Sequence, residues 1–273
     1  MGTVTFIPRT GGYLVGMNRE TPRNRAQDHG PQVRSLGRVY VVHPTTSTGG
    51  TWIALNSYGI TLALLPWQRI PSSSSVPSEE QWEPEQILPE LLSVQGDQEL
   101  SDRLAKLSME RVAPFRLIGI FPAQARIVEW LWNQQRWFIR PRSWRSRLWA
   151  SSPQNEEAVQ KERRALWEKA LQEPDAGTPL WLRRFHRMHV VQPDSASICV
   201  HGESVCTTSY TEILVVGRRG QMTYHAGPPC LRGRLIERLI RVFLPSSRPS
   251  RSGKAKTSRG TVSKSSRQEG SSS

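Results

Sequence analysis

The fold is decided by the first 21 residues, Met1-Gly-Thr-Val-Thr-Phe-Ile-Pro-Arg-Thr-Gly-Gly-Tyr-Leu-Val-Gly-Met-Asn-Arg-Glu-Thr21. Residues 3–6 alternate between threonine and an apolar side chain, a period of two that predicts a β-strand. Residues 8–12 contain the proline and glycines of a turn, and the apolar residues 13–15 begin a return strand. The resulting hairpin places the start of the chain beside the charged segment 18–20.

This hairpin and five later stretches, taken in order, resemble the NRDE family, also called the transport-and-Golgi-organisation family. Members of that family open with Met-Cys-Thr, an apolar strand, a turn and Asn-Arg-Asp-Glu. The five later stretches are residues 49–54, 113–118, 182–189, 197–201 and 209–212. The resemblance extends from residue 1 to about residue 232.

The family is similar to the N-terminal-nucleophile hydrolases, and this resemblance implies a specific architecture. It is a four-layer αββα sandwich of class α+β, in which two antiparallel sheets lie between two helical layers. In those enzymes the initiator Met is removed, and a cysteine at residue 2 attacks an amide carbonyl with its own α-amine as the base. An α-amine has a pKa of roughly 7.7–8.0, so it is partly neutral at pH 7 and suits that role.

This chain departs from that pattern at three positions. Residue 2 is Gly2, which has no nucleophilic side chain, and Asn18-Arg19 is followed by Glu20 where the family has Asp. Pro66 stands where relatives have an asparagine that resembles an oxyanion-binding residue, and proline has neither a side-chain amide nor a backbone N–H. We therefore interpret the five positions Gly2, Asn18, Arg19, Glu20 and Pro66 as a vestigial site without an intact catalytic residue.

Three functions are compatible with these residues. The leading hypothesis is a catalytically degenerate protein that binds a small molecule or a partner protein, without a cofactor. The second is a cysteine-type amide hydrolase whose nucleophile at residue 2 has been substituted. The third is a basic adaptor that binds anionic surfaces. Arg19 and Glu20 are the ligand-binding candidates, with a buried ion pair as the alternative role for both residues.

Composition and charge favour an intracellular protein with a basic tail. The net charge is +14, and residues 245–273 hold seven Lys or Arg against one Glu. This tail is predicted to be disordered after a single domain over 1–244, and residues 246–273 are candidates for weak contact with nucleic acid or acidic surfaces. Three cysteines are too few for a disulfide framework, and no apolar run reaches 18 residues, so we expect a cytoplasmic protein without a transmembrane segment.

Two further clusters attract functional interpretations. A zinc site could use His186, His189, Cys199, His201 and Cys206, but structural zinc usually has more tightly paired ligands, and we predict no metal. Tryptophans interleave with arginines over 130–149, which is typical either of a single-strand nucleic-acid platform or of packed rings beside solvated cations.

The periodicity of the remaining sequence predicts an alternation of strands and helices. Strands are expected over 39–42, 51–56, 59–65, 115–121, 126–132, 137–139, 196–201, 209–216 and 221–225. Helices are expected over 84–92, 96–109, 153–171, with Arg163 on its wet face, 179–189 and 231–244. The last of these closes the fold or lies on an acidic membrane surface. Residues 22–37 and 70–83 are expected to be loops.

Overall fold

The computed structural model describes residues 1–67, 81–152, 155–190 and 196–244. Within these ranges the chain forms two antiparallel sheets, whose strands we number in chain order. The N-terminal sheet has the order β10-β1-β2-β11-β12-β13. Its strands are β1 (Gly2–Arg9), β2 (Gly12–Pro22), β10 (Arg147–Ser151), β11 (Val205–Val216), β12 (Arg219–Ala226) and β13 (Leu235–Arg241).

The second sheet, which we call the meander sheet, has seven strands in sequential order, because each strand pairs with the next along the chain. Its strands are β3 (His29–Leu36), β4 (Val39–Thr45), β5 (Ile53–Asn56), β6 (Thr61–Pro66), β7 (Phe115–Phe121), β8 (Arg126–Trp132) and β9 (Trp137–Arg142). The β-meander expected from the sequence is therefore larger than predicted, because it continues through β7 to β9.

Three apolar cores stack these elements into four layers. One core, which includes Phe6 and Ile118, lies between the two sheets. A second packs the meander sheet against two 3-10 turns, Pro84–Gln86 and Leu88–Leu91, and helix α1 (Asp97–Leu104). A third packs the N-terminal sheet against α2 (Glu156–Ala170) and α3 (Pro179–His186). The fold is the αββα sandwich that the family resemblance implies.

The helix predicted over 231–244 is wrong, because this segment contains β13. Strand β12 offers an edge to which β13 adds, with His225 opposite Leu235 and Arg219 opposite Arg241. Ile236 and Ile240 are four residues apart and share a face in a strand as well as in a helix. Both pack on the core between the sheets, so helical spacing alone could not distinguish the two structures.

Other differences are local. The predicted loop 22–37 contains β3, the predicted helix 84–92 consists of the two 3-10 turns, and the predicted strand 196–201 forms only an isolated bridge between His201 and Cys206. Strand β10 was not predicted. Most of the 70–83 loop and the whole 245–273 tail lie outside the described residues. Among the residues that the structure describes, no helix is long and apolar enough to cross a bilayer.

Candidate functional site

Residue 2 lies inside the N-terminal sheet, between two neighbouring strands. Gly2 is opposite Arg19 on β2 and Ser151 on β10, and its N–H donates to Ser151 Oγ at 3.1 Å. A Cβ atom placed on Gly2 would lie 2.4 Å from the Asn18 carbonyl oxygen and 3.3 Å from Leu65 Cδ2. Since the nearer contact is with backbone, rotating a side chain cannot relieve it. A side chain at this position would therefore require the backbone of the neighbouring strand to move.

Arg19 is buried and contacts two carboxylates and an aromatic ring. Its side chain is only 3% exposed and forms ion pairs with Asp28 and, through Nη2 at 3.4 Å, with Glu85 Oε1. The guanidinium also lies 3.9 Å from the centre of the Trp52 ring, a distance at which a cation is attracted to the aromatic face. Arg19 therefore joins β2 to the meander sheet and to the 3-10 turn that contains Glu85.

Glu20 forms a second buried ion pair, with Arg163 of α2. Arg163 Nη1 donates to Glu20 Oε1 at 2.8 Å and to Thr3 Oγ1 at 2.6 Å. The prediction that Arg163 lies on the wet face of its helix is wrong, because the side chain is buried. The helical spacing indicates this burial, because Arg163 is four residues from both Val159 and Trp167, which also face the core.

Asn18 of β2 forms hydrogen bonds to the backbone of two other segments and to the ring of a buried histidine. Asn18 Nδ2 donates to the carbonyls of His186 (2.9 Å) and Ile198 (2.7 Å), so its Oδ1 is an acceptor. His186 Nδ1 therefore donates to that oxygen at 3.1 Å, and Nε2 accepts from Thr5 Oγ1 at 2.8 Å. Burial, followed by the charge of Arg163, lowers the pKa of His186 to about 3, and the ring is neutral near pH 7.

Pro66 ends β6 and pairs with Phe115 of β7. It follows Leu65, whose side chain closes the space above Gly2. The structure thus places Gly2 beside Arg19, and it gives Arg19 and Glu20 separate ion pairs on opposite faces of β2. Pro66 lies at the end of the neighbouring strand β6.

An open cleft of about 480 Å³ is lined by Thr21 of β2 and by Asp28, the ion-pair partner of Arg19. The wall includes apolar surface from Tyr224, together with Pro228 and Leu231. Two cations, Arg23 and Arg25, also line it. Arg25 donates to Glu83 Oε1 at 2.9 Å, while Arg23 Nε donates to the Gly202 carbonyl at 3.0 Å. The cleft combines an apolar wall with two arginines, as a site for a small amphipathic acid would.

The tryptophan-rich stretch belongs to the cores and to the space between the layers. Trp130, Trp132 and Trp149 are buried, and the ring of Trp144 lies edge-on to Phe6 with 4.7 Å between centroids. The alternative of packed rings is confirmed. Three arginines of the stretch, Arg140, Arg142 and Arg147, line a separate cleft of about 790 Å³ together with Glu129. There Arg142 Nε donates to Glu129 Oε1 at 2.5 Å.

No protein-family profile matches this chain, and no curated protein matches it. Among solved structures, penicillin V acylase from Agrobacterium tumefaciens is similar, with a TM-score of 0.52, 11% identity, and coverage of 87% of this chain and 85% of the acylase. A mutant conjugated bile acid hydrolase from Clostridium perfringens has a TM-score of 0.48 at 11% identity, covering 90% and 97%. Another variant of that hydrolase has a TM-score of 0.46 at 10% identity, covering 90% and 100%. The likeness to the acylase shows that the chain has the N-terminal-nucleophile-hydrolase fold.

Proposed function

We propose that this chain is a non-hydrolytic NRDE-family protein that uses the N-terminal-nucleophile-hydrolase fold to bind a small acidic molecule. The binding site is the cleft that Arg23, Arg25 and Tyr224 line. The family assignment rests on the sequence motifs, and the absence of hydrolysis rests on the packing around Gly2.

The observation that carries the proposal is the contact of 2.4 Å between a Cβ at residue 2 and the Asn18 carbonyl oxygen. An attacking side chain must project into a space that also holds the substrate carbonyl. At residue 2 the first atom of such a side chain already overlaps the neighbouring strand. Loss of the cysteine is therefore accompanied by loss of the space that a cysteine needs.

The ion pairs of Arg19 and Glu20 indicate whether these two residues are available to bind a ligand. Arg19 is satisfied by two carboxylates and an aromatic face, and Glu20 is satisfied by Arg163. Recruiting either side chain to a ligand would leave a buried partner unpaired, which costs about 3–5 kcal/mol. These contacts favour the ion-pair role over direct ligand binding for both residues.

The cleft has the size and chemistry of a small-molecule site. Ligand sites typically enclose about 300–1,000 Å³ and combine apolar walls with a few polar groups. Arginine recognises carboxylate and phosphate groups through its planar fork of donors. Arg23 and Arg25 bond to backbone carbonyl and to Glu83 at less buried positions, so an anionic ligand can compete for them more readily than for Arg19.

Hydrolysis can be tested with penicillin V, an amide that carries a carboxylate. We expect no hydrolysis by the unmodified chain. We also expect none by Gly2→Cys, because the new sulfur would be attached to a displaced strand. Product formation by the unmodified chain would contradict the proposal, and product formation by Gly2→Cys at undiminished stability would favour the substituted-hydrolase hypothesis.

Ligand binding can be tested by native mass spectrometry of gently purified protein. A bound small acid should be released from the unmodified chain, and the Arg23→Gln/Arg25→Gln variant should lose it. The matched control is Arg218→Gln/Arg219→Gln, which removes two exposed cations from the turn at the other end of β12. Equal ligand content in both variants would contradict the assignment of the cleft.

A further inference from the structure

Four side chains with metal-binding atoms converge outside the cluster around Gly2. The ligand atoms of His189, Cys199, His201 and Cys230 all lie within 4.8 Å of one another. Cys199 Sγ is 3.6 Å from Cys230 Sγ and 3.7 Å from His201 Nε2. His201 Nε2 is 3.1 Å from Cys230 Sγ, and the rings of His189 and His201 are 5.0 Å apart.

The backbone holds this convergence in place. The N–H groups of Ile198 and Cys199 both donate to the Met188 carbonyl, at 3.2 and 3.0 Å, which brings Cys199 beside His189. The bridge between His201 and Cys206 fixes the next ligand at the start of β11. Cys230 lies in the turn closed by the bond from Leu231 N–H to the Pro228 carbonyl at 3.1 Å.

The distances among Cys199 Sγ, Cys230 Sγ and His201 Nε2 are close to those of a tetrahedral metal centre. With Zn–S bonds of about 2.3 Å and Zn–N bonds of about 2.0–2.1 Å, tetrahedral geometry requires about 3.8 Å between sulfurs and about 3.5 Å between sulfur and nitrogen. The corresponding distances here are 3.6 Å between the two sulfurs, and 3.7 and 3.1 Å from sulfur to His201 Nε2. A disulfide would require the two sulfurs to be about 2.05 Å apart.

From this geometry we propose that His189, Cys199, His201 and Cys230 bind a zinc ion. Two thiolates with two imidazoles in a tetrahedral arrangement is a donor set that selects zinc among the common divalent ions. The four protein ligands fill the coordination sphere, so the zinc is structural and has no open position for water. It ties the segment after α3, the segment before β11 and the turn after β12 to one another.

This site differs from the set considered in the sequence analysis. His186 belongs to the Asn18 hydrogen-bond network, and Cys206 is absent from the group of converging ligand atoms. Cys230 replaces them, although it is 29 residues from His201 in the chain. The spacing rule that argued against zinc assumes two short ligand pairs, whereas here the fold joins one short pair, Cys199 and His201, to single ligands from two other segments.

Metal content is the first test. Protein purified without chelator should hold about one zinc per chain, measured by elemental mass spectrometry. Cys230→Ser should reduce the zinc to background, while Cys206→Ser, which removes the third thiol of the chain, should keep it. Absence of zinc from the unmodified protein would overturn the proposal, as would a Cys199–Cys230 disulfide or equal zinc loss in both variants.

Cobalt provides a second readout, and its first measurement needs only the unmodified protein. Co²⁺ exchanged into the unmodified protein should give the intense visible bands of four-coordinate cobalt and a sulfur-to-cobalt charge-transfer band for two thiolates. His201→Cys keeps four ligands and adds a third thiolate, so the charge-transfer band should grow by about half in proportion to the thiolate count. Weak octahedral spectra in both proteins would overturn the assignment of these ligands.

Discussion

At the scale of single residues, the space around Gly2 leads to a stability prediction. Gly2→Ala places a methyl group against the Asn18 carbonyl oxygen, and relieving that overlap requires the strands to move. Overpacking of this kind costs about 1–3 kcal/mol of unfolding free energy, which urea denaturation would measure.

The matched control for this substitution is Gly30→Ala on β3. There the new methyl group would meet the Cδ1 atom of Ile236 at 2.6 Å, which is the flexible end of a side chain. We expect Gly30→Ala to cost less than Gly2→Ala. Equal costs would mean that the backbone contact at residue 2 is relieved without strain.

His186 makes stability depend on pH. Its pKa falls from 6.5 in the unfolded chain to about 3 in the folded one, so the unfolded state binds a proton more readily below pH 6.5. The stabilising contribution is complete above pH 6.5 and is lost as pH falls toward 3. Between pH 7 and pH 5 we expect a loss of about 2 kcal/mol in the free energy of unfolding.

Urea denaturation at the two pH values measures this loss. His186→Gln should remove most of the pH dependence, whereas His29→Gln at an exposed position should retain it. An unchanged pH dependence in His186→Gln would show that another group carries the effect.

Arg163 offers a test of the buried ion pair. Arg163→Met leaves the Glu20 carboxylate without its cation in a dry environment, and we expect a loss of about 3–5 kcal/mol in unfolding free energy. The double variant Arg163→Met/Glu20→Leu should recover much of that loss, because no unpaired charge remains. A double variant as unstable as Arg163→Met would point to packing by the arginine stem rather than to charge.

At the scale of elements, β13 can be tested through two adjacent residues. Ile240 is 7% exposed and faces the core between the sheets, whereas Leu239 is 53% exposed. Ile240→Ala should cost about 2–4 kcal/mol of unfolding free energy, and Leu239→Ala should change it by less than about 1 kcal/mol. Comparable losses from both substitutions in urea denaturation would contradict the strand.

The elements also show where sequence patterns suffice. The hairpin β1–β2 was predictable because alternation and turn residues are local, and the Thr178-Pro179 start of α3 was predictable for the same reason: the Thr178 side chain accepts from the Trp181 N–H. Strand β13 was not, since Ile236 and Ile240 satisfy both periods and only the edge of β12 decides between them. Strand β10 pairs with β1, which is far away in the sequence, with Gly2 opposite Ser151. The residues near β10 contain no pattern that identifies so distant a partner.

At the scale of the whole molecule, the positive charge of residues 245–273 leads to a binding prediction. Residues 245–273 carry +6 of the net +14, so removing them should weaken binding to heparin and flatten its dependence on salt. Affinity chromatography of the full chain and of residues 1–244 across a salt series measures both effects. Unchanged affinity and slope after truncation would place the anion-binding surface on the domain and argue against a tail-based adaptor.

Some residues of the candidate sites are close together in the sequence and could be predicted, whereas others come from distant segments and could not. The cluster of Gly2, Arg19 and Glu20 could be predicted, because one hairpin contains all three residues. Its buried partner Arg163, and the four converging side chains at His189, Cys199, His201 and Cys230, come from distant segments that only the packed layers bring together. Their burial and distances are tertiary quantities, which a single sequence does not contain.

The strand order of the N-terminal sheet has a consequence for how the protein is made. Strand β2 lies between β1 and β11, so one edge of the β1–β2 hairpin stays unpaired until residues 205–216 have been translated. The meander sheet, whose strands all lie within residues 29–142, can assemble during that wait. An unpaired strand edge is a template for association between chains, so slower translation lengthens the time during which nascent copies expose this edge.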